Sequence, residues 1–469
     1  MNATKKPNFL FIFPDQHRGD WMPYPEWVFK KLGMEKLPLK MPNIERLMEN
    51  GVTFTNCITP SPLCSPARAC LASGLRYARA GCYGNNMNYQ VEHKTYYTTL
   101  KEQGYSVGGC GKFDLHKADQ DWGIDGWDPF LGKIGFDREY SIDNAGKFDA
   151  VRSVRIKKTK LGNQVVNNQD KYEPRDPYMS FLKSRGLAKI HVDDFGRRTG
   201  LWMYNSEPTP LPEDAYCDNW VTEQGIRILQ SFPRDKPWHL VVNFVCPHNP
   251  WDVTERMRKN WENVDFPPAN KNDTGFDEPI NEVRQNYAAM LENIDRCMGL
   301  LIEEVEKRGE LVNTIIIYSS DHGEMLGDFN KWGKHVPERG SIRVPLVISG
   351  PGIKKGEIFE RFVETQDLVS TMIDYAGGIM PEAKDSISLR PVLEGSSTTH
   401  RDHAISHLEE RKKKMTPWKS IMDETYKLVL SEGNEPELYN WIEDPWENEN
   451  IAGENPEIVK KLRERLDSV

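Results

Sequence analysis

Three short apolar runs, each ending abruptly in polar residues, constrain most strongly how this chain can fold. Asn8-Phe-Leu-Phe-Ile-Phe-Pro14 runs into Asp15 and Gln16, His239-Leu-Val-Val-Asn-Phe-Val-Cys246 into Pro247 and His248, and Thr314-Ile-Ile-Ile-Tyr-Ser-Ser320 into Asp321 and His322. Apolar runs of this length suit strands buried on both faces, as in parallel sheets covered by helices. Helical stretches lie between them: Asn43 to Asn50 closed by Gly51, Thr99 to Gln103 closed by Gly104, and a long amphipathic stretch from about Asn281 to Arg308. The expected fold is therefore α/β, a large, mostly parallel mixed sheet sandwiched by helices. Ligands in such sheets bind beyond the carboxyl ends of the strands. The polar residues that close the three runs are thus the first candidates for a site.

The 469 residues exceed what one compact core usually holds. Residues 1–375 are read as the catalytic domain and 376–469 as a smaller C-terminal α+β subdomain, with a short antiparallel sheet and a closing helix from Pro456 to Leu466. Residues 133–212 are polar, carry the basic stretch Arg152-Ser-Val-Arg-Ile-Lys-Lys-Thr-Lys160, and read as inserted loops shaping a substrate entrance. With 61 basic and 70 acidic residues the net charge is −9, which excludes general affinity for nucleic acid or an anionic membrane surface. No apolar run is long enough to span a bilayer and the first residues lack the apolar core of a secretory signal, so the chain as written reads as cytoplasmic; a signal removed from the native product would make it secreted or periplasmic. The eight cysteines lack paired CxxC spacing, which argues against a disulfide framework or zinc cluster.

The most specific motif is Ser61-Pro-Leu-Cys64-Ser-Pro66-Ala-Arg68-Ala-Cys-Leu-Ala-Ser-Gly74, a C-x-P-x-R pattern opening a helix. Alone it also fits a structural cysteine with Ser65 as the helix N-cap. It is followed or preceded in order by Asp15-Gln16, Gly111-Lys112, Pro247-His248-Asn-Pro250, Ser320-Asp321-His322-Gly323, Trp332-Gly-Lys334, Ser341-Ile-Arg-Val-Pro345 and Glu437-Leu-Tyr-Asn-Trp-Ile-Glu-Asp444-Pro-Trp-Glu447-Asn-Glu-Asn450. Across nearly the whole chain except the insertion, this series resembles the type I sulfatases of the alkaline-phosphatase superfamily, in which the cysteine is oxidised to formylglycine by a maturation enzyme.

Asp15, Gln16, Asp321 and His322, completed by the modified Cys64, make a hard-cation site whose oxygen donors select calcium first, with magnesium and manganese as alternatives. The resemblance implies that one hydroxyl of the hydrated aldehyde attacks sulfur, that Arg68 holds the hydrate, and that Lys112 and Lys334 neutralise the sulfate oxygens. It implies that His248 protonates the leaving alcohol. Many family members read Gly-Lys-x-His, whereas this chain reads Gly111-Lys112-Phe113-Asp114-Leu115-His116, so Asp114 and His116 both stand as candidates for the base that expels sulfate. An extended segment would place both on the face of Lys112. His335 is read as supporting the metal's surroundings. Arg18, Trp21, Arg76, Tyr77, Lys94 and Arg339 flank the motifs as candidate pocket residues, and Trp202 and Trp251 as candidate platforms for a sugar ring.

The implied activity is hydrolysis of a carbohydrate or small organic sulfate ester. The alternative is a phosphonate monoester or phosphodiester hydrolase using the same formylglycine, because such enzymes carry a similar Asp-Gln pair. A non-catalytic binding protein that keeps Cys64 as a thiol is the reading from another class, and the retention of every metal-ligand type argues against it.

Overall fold

The computed structural model describes residues 6–153, 156–159, 162–165, 173–198, 205–272, 279–409 and 416–468. Its strands are β1 (Asn8–Ile12), β2 (Gly51–Ile58), β3 (Ser106–Gly111), β4 (Ser141–Asp143), β5 (Ile156–Thr159), β6 (Gly162–Val165), β7 (Trp238–Asn243), β8 (Thr314–Ser319), β9 (Arg343–Ser349), β10 (Glu357–Phe359), β11 (Val363–Glu364), β12 (His403–Leu408), β13 (Trp418–Asp423), β14 (Tyr426–Ser431) and β15 (Glu437–Asn440).

The main sheet has the order β10-β2-β9-β8-β1-β7-β3-β4, with β11 also pairing β2. Every pair in it is parallel except those of β9, which runs against both β2 and β8. The sheet is thus mixed and mostly parallel, as the apolar runs imply. Those runs become β1, β7 and β8, which lie side by side at its centre. All five residues of β1 are buried. Alternate side chains of β1 serve two cores: Leu10 and Ile12 pack with Trp220 and Met298, and Phe9 and Phe11 with Leu71 and Met372. The first core faces the helices Cys217–Ser231 and Ile280–Lys307, the second the helices Cys64–Ser73 and Asp367–Tyr375. Each fully buried Leu, Ile or Phe contributes about 1.5–3 kcal/mol, so β1 is anchored from both sides.

A second, antiparallel sheet runs β12-β13-β14-β15. The helix Pro456–Asp467 covers it through Leu462 and Leu466, which pack on Ile405, Ile421, Leu428 and Leu438. Within 133–212 the described residues form β4 at the edge of the main sheet, the ribbon β5–β6, and the helices Pro177–Ser184 and Ala188–Arg198. No helix among the described residues is long and apolar enough to cross a membrane.

His239 on β7 is fully buried, its Nε2 3.3 Å from the Tyr96 hydroxyl. Burial pushes its pKa from 6.5 down to about 3. A folded pKa below the unfolded value means stability that is present above pH 6.5 and lost as pH falls toward 3. The loss is about 1.4 kcal/mol per pH unit. His239→Phe should therefore show a shallower fall in Tm between pH 6.5 and 4 than the wild type. Parallel curves would mean that the ring is not held neutral.

Candidate active site

The site lies at the carboxyl ends of β1, β2, β3, β7 and β8. Cys64 is the first residue of a helix whose ten residues are all buried. The residue before it, Leu63, is extended at φ −153° and offers no side-chain cap; Ser65 lies inside the helix and is not its cap. Sequence context alone favours Ser65 as a cap, but the chain turns two residues earlier, at apolar Leu63. The positive end of this helix therefore lies at the site, where it favours an anion. The Ser65 N–H is taken by Asn85 Oδ1 at 3.0 Å. The helix stops at Gly74, whose φ of 70° and contact with Ala383 leave no room for a Cβ.

Asp15 and Gln16 follow β1 after Phe13 and Pro14. Gln16 has φ 71°, a conformation costing a non-glycine residue on the order of 1 kcal/mol or more. It is held there by its N–H donating to Asp321 Oδ1 at 3.0 Å and by the Tyr287 hydroxyl donating to its carbonyl at 2.7 Å. Asp321 also accepts from the N–H of His322 at 2.9 Å. The His322 ring puts Nδ1 3.1 Å from the Gly323 carbonyl, which fixes Nδ1 as the donor and leaves Nε2 with a lone pair that could serve a metal. That Nε2 lies 3.5 Å from Asp15, 3.6 Å from Asp321 and 3.3 Å from Cys64 Sγ. Ligand atoms of Asp15, Cys64, Asp321 and His322 all fall within 4.8 Å of one another, and all four residues are buried. Two carboxylates, an imidazole and the nearby amide oxygen of Gln16 are a donor set that fits a hard divalent cation.

Cations surround these donors. Arg68 donates to Asp321 Oδ2 at 3.0 Å and to Asn243 Oδ1 at 3.1 Å, and its Nη2 lies 3.5 Å from Asp15. Lys112 binds Asp15 and lies 3.9 Å from Cys64 Sγ. Gly111, at φ 94° and pressed on the Asn243 carbonyl, has no space for a Cβ and brings Lys112 into this position. Lys334 reaches Cys64 Sγ at 3.1 Å and Gln16 Oε1 at 2.8 Å. Burial and Cys64 push Asp15 up, but Lys112, His248 and Lys334 outweigh them and hold it well below the usual carboxylate range. Burial likewise opposes the Cys64 thiolate, yet Lys112, Lys334 and His322 hold its pKa well below 9.0. His248 hydrogen-bonds Cys64 and is half-buried, like Lys334, so these two side chains form the open face of the centre.

The segment after Lys112 is not extended: β3 ends at Gly111 and Asp114 has φ 54°. This breaks the alternation that would align Asp114 with His116. Asp114 lies 3.4 Å from Lys112 Nζ and accepts from Lys117 at 2.9 Å, leaving Oδ1 buried without a partner. His116 turns away and its Nε2 meets Asp143 at 2.8 Å.

Sequence reasoning missed Lys117 and Glu324. Glu324 is fully buried; it accepts from Gln16 Nε2 and from the N–H of Leu326 at 3.2 Å, so the Gln16 amide presents Oε1 to Lys334 and the donor cluster. A carboxylate two residues after a ligand histidine is a faint signal, because acids are common in loops. Glu324→Ala should weaken divalent-metal binding about 10- to 100-fold in a calorimetric titration, the usual effect of removing a group that orients a ligand. Unchanged affinity would mean that Gln16 is held by other contacts.

The flanking candidates among the described residues are engaged by partners away from Cys64. Arg18 is buried between Asp20 and Asp328, Arg76 pairs with Glu364 at 3.2 Å, Lys94 with Glu102 at 2.6 Å, and Arg339 with Asp20 at 3.2 Å. Trp21, Tyr77 and Trp251 are core residues, Trp251 packing on Trp332 at 5.5 Å. The His335 carbonyl accepts from Trp418 at 2.9 Å, tying the Lys334 loop to β13. Trp202 lies outside the described residues, as does part of the basic stretch of 152–160.

The sulfatase family model matches residues 7–379. A model described as N-sulphoglucosamine sulphohydrolase, C-terminal, matches residues 327–469. An arylsulfatase of Clostridium perfringens is 26% identical over 98% of this chain and 92% of its own length. A choline-sulfatase of Rhizobium meliloti is 28% identical over 97% of this chain and 84% of its own. The solved phosphonate monoester hydrolase of Agrobacterium radiobacter shares the fold, with a TM-score of 0.76 at 24% identity, covering 98% of this chain and 95% of that one.

Proposed function

The chain belongs to the sulfatase family, and on that premise we propose that it hydrolyses the sulfate ester of a carbohydrate or small organic alcohol, with Cys64, oxidised to formylglycine, as its nucleophile. The observation that carries this reading is the position of Cys64 at a buried helix N-terminus, with Lys112, Lys334, His248 and His322 converging on it. A divalent cation held by Asp15, Gln16, Asp321 and His322 supplies, when bound, the Lewis acidity that makes a hydroxyl of the residue-64 aldehyde hydrate a nucleophile at neutral pH. Calcium is the first choice for that cation. A dedicated maturation enzyme is the partner that oxidises the thiol.

The chain's own residues then divide the work. Arg68, fixed by Asp321 and Asn243, orients the residue-64 side chain. Lys112 and Lys334 meet the sulfate oxygens, where buried cations are worth more than in water. His248 on the open face protonates the departing alcohol oxygen. Burial and Lys334 push its pKa down, and a bound sulfate ester offsets the lysines and restores the proton. Of the two candidates for the base we choose Asp114 over His116, because Asp114 contacts Lys112 whereas His116 is engaged by Asp143. The saccharide option is supported by the second family model and the small organic option by the choline-sulfatase. The same proposal divides the chain near residue 375, after which the smaller antiparallel sheet follows.

His248→Ala should slow esters of poorly acidic alcohols by about 10²–10⁴-fold and activated aryl sulfates far less, since only the former need protonation. Equal losses on both would make His248 a binding residue. The phosphonate reading is kept alive by Gln16, whose neutral amide leaves the cluster one negative charge poorer than an Asp would. Rates on matched aryl sulfate and aryl phosphonate monoesters decide it: the sulfate reading predicts sulfate preference, and a large phosphonate preference overturns it.

A further inference from the structure

The loop that carries His248 is held from outside by a residue of the inserted region. β7 ends at Asn243, and residues 244–254 after it form neither helix nor strand. Within this loop, His248 Nδ1 lies 2.6 Å from the Asn249 carbonyl, which makes Nδ1 the donor, so the direction of the ring follows the course of its own backbone. A ring set in this way is only as well placed as the loop itself. The start of the loop is held by Asp218, which accepts from the N–H groups of Val245 at 2.8 Å and Cys246 at 3.1 Å.

Lys147 holds the rest. The helix Gly146–Ser153 begins just beyond β4, whose pairing with β3, together with the Asn144 N–H donating to the Gly111 carbonyl at 2.9 Å, brings it to the loop. A Cβ added at Gly146 would lie 3.1 Å from Val245. The Lys147 ammonium has three donors, and three groups of this one loop surround it: the Pro250 carbonyl at 3.1 Å, Cys246 Sγ at 3.4 Å and the Asp252 carboxylate. It thus bridges the residues two before and two after His248. Cys246 is also braced by the Tyr216 hydroxyl at 3.0 Å, and the Tyr216 ring lies 5.4 Å from the ammonium. The Lys147 and Asp252 side chains are each 2% exposed. Burial opposes the lysine's charge, but Asp252 and Cys246 hold its pKa above the usual lysine range.

Burying such a pair costs desolvation that its attraction repays only in part, and apolar residues of similar volume often stabilise a core as well. What apolar residues cannot supply is direction, here donors aimed at three points of one loop. We propose that Lys147 is a positioning residue for the reaction, its ammonium clipping the Cys246-to-Asp252 loop so that the His248 imidazole stands at the leaving-group oxygen. The proposal rests on the role given above to His248, and it assigns the inserted region a part in placing the acid.

A double-mutant comparison tests this. Lys147→Met removes the three hydrogen bonds and keeps the length of the side chain. With an ester of a poorly acidic alcohol it should lower kcat about 10- to 100-fold, the effect of misplacing a reacting group by about an ångström, with little change in KM. In a His248→Ala background the same substitution should change that kcat by about twofold or less. An equal fractional loss in the two backgrounds would overturn the proposal, since a lysine that only stabilises the fold costs the same with or without His248. If Lys147→Met does not fold, Asp252→Asn, which keeps the shape and an acceptor, should show the same dependence on His248 at smaller size. The acid role itself is judged separately, by His248→Ala alone on poor and activated esters. A second readout needs no turnover: in histidine-labelled protein, the His248 ring resonance, assigned by its loss in His248→Ala, should shift or broaden in Lys147→Met while that of His239 stays in place. An unchanged His248 resonance would likewise overturn the proposal.

Discussion

Cys64→Ala is expected to abolish turnover, by on the order of 10⁴-fold or more, while leaving Tm nearly unchanged. The size of the loss follows from what the position supplies. The arginine, the lysines and the metal ligands all converge on one side chain, and without it they bind an ester that nothing attacks. The small effect on stability follows from the change itself, which shortens one small side chain at a residue 1% exposed and leaves helix, backbone and neighbours in place. Activity assays beside thermal unfolding check both halves. Retained turnover would refute Cys64 as the nucleophile, whereas a large fall in Tm would show that the residue is structural.

Metal removal should have a comparable effect on rate. With a chelator, activity on an aryl sulfate is expected to fall to background and to return on adding calcium, or magnesium or manganese in excess. Asp321→Asn separates the site from the fold. The amide keeps an oxygen able to accept from the Gln16 N–H, now at 3.0 Å, so local geometry survives, but the charge facing the metal and Arg68 is lost. A stability cost of about 1–3 kcal/mol is expected from the weakened Arg68 contact, together with a large drop in metal affinity by calorimetry. Chelator-resistant turnover would contradict a metal-assisted reaction.

The fold was legible where one physical signal dominated. The apolar runs that became β1, β7 and β8 each ended within a few residues of the expected place, because a strand buried on both faces is built mainly from apolar residues. The reversal of β9 was not legible: its apolar sequence reads the same in either direction, and only pairing with β2 and β8 fixes it. For the site, Asp15, Asp321 and His322 could be found because they end strands, and Cys64 because its motif is specific. Their convergence within a few ångströms is a property of the sheet order. Glu324 and Lys117 were missed because one sits in an irregular loop and the other in a single 3-10 turn, both too short for sequence to carry a period. The choice between Asp114 and His116 depended on one left-handed residue, Asp114 at φ 54°, a conformation that aspartate adopts more readily than most residues but that its presence alone does not predict.

The most direct test of the central claim is the mass of the proteolytic peptide containing Cys64, taken from protein made in its native host. Oxidation to formylglycine turns the thiol-bearing methylene into an aldehyde, so the peptide loses one sulfur and two hydrogens and gains one oxygen. The account predicts that mass, and with it an aldehyde trappable by a hydrazide. An intact thiol at position 64 in native protein would contradict the proposed nucleophile.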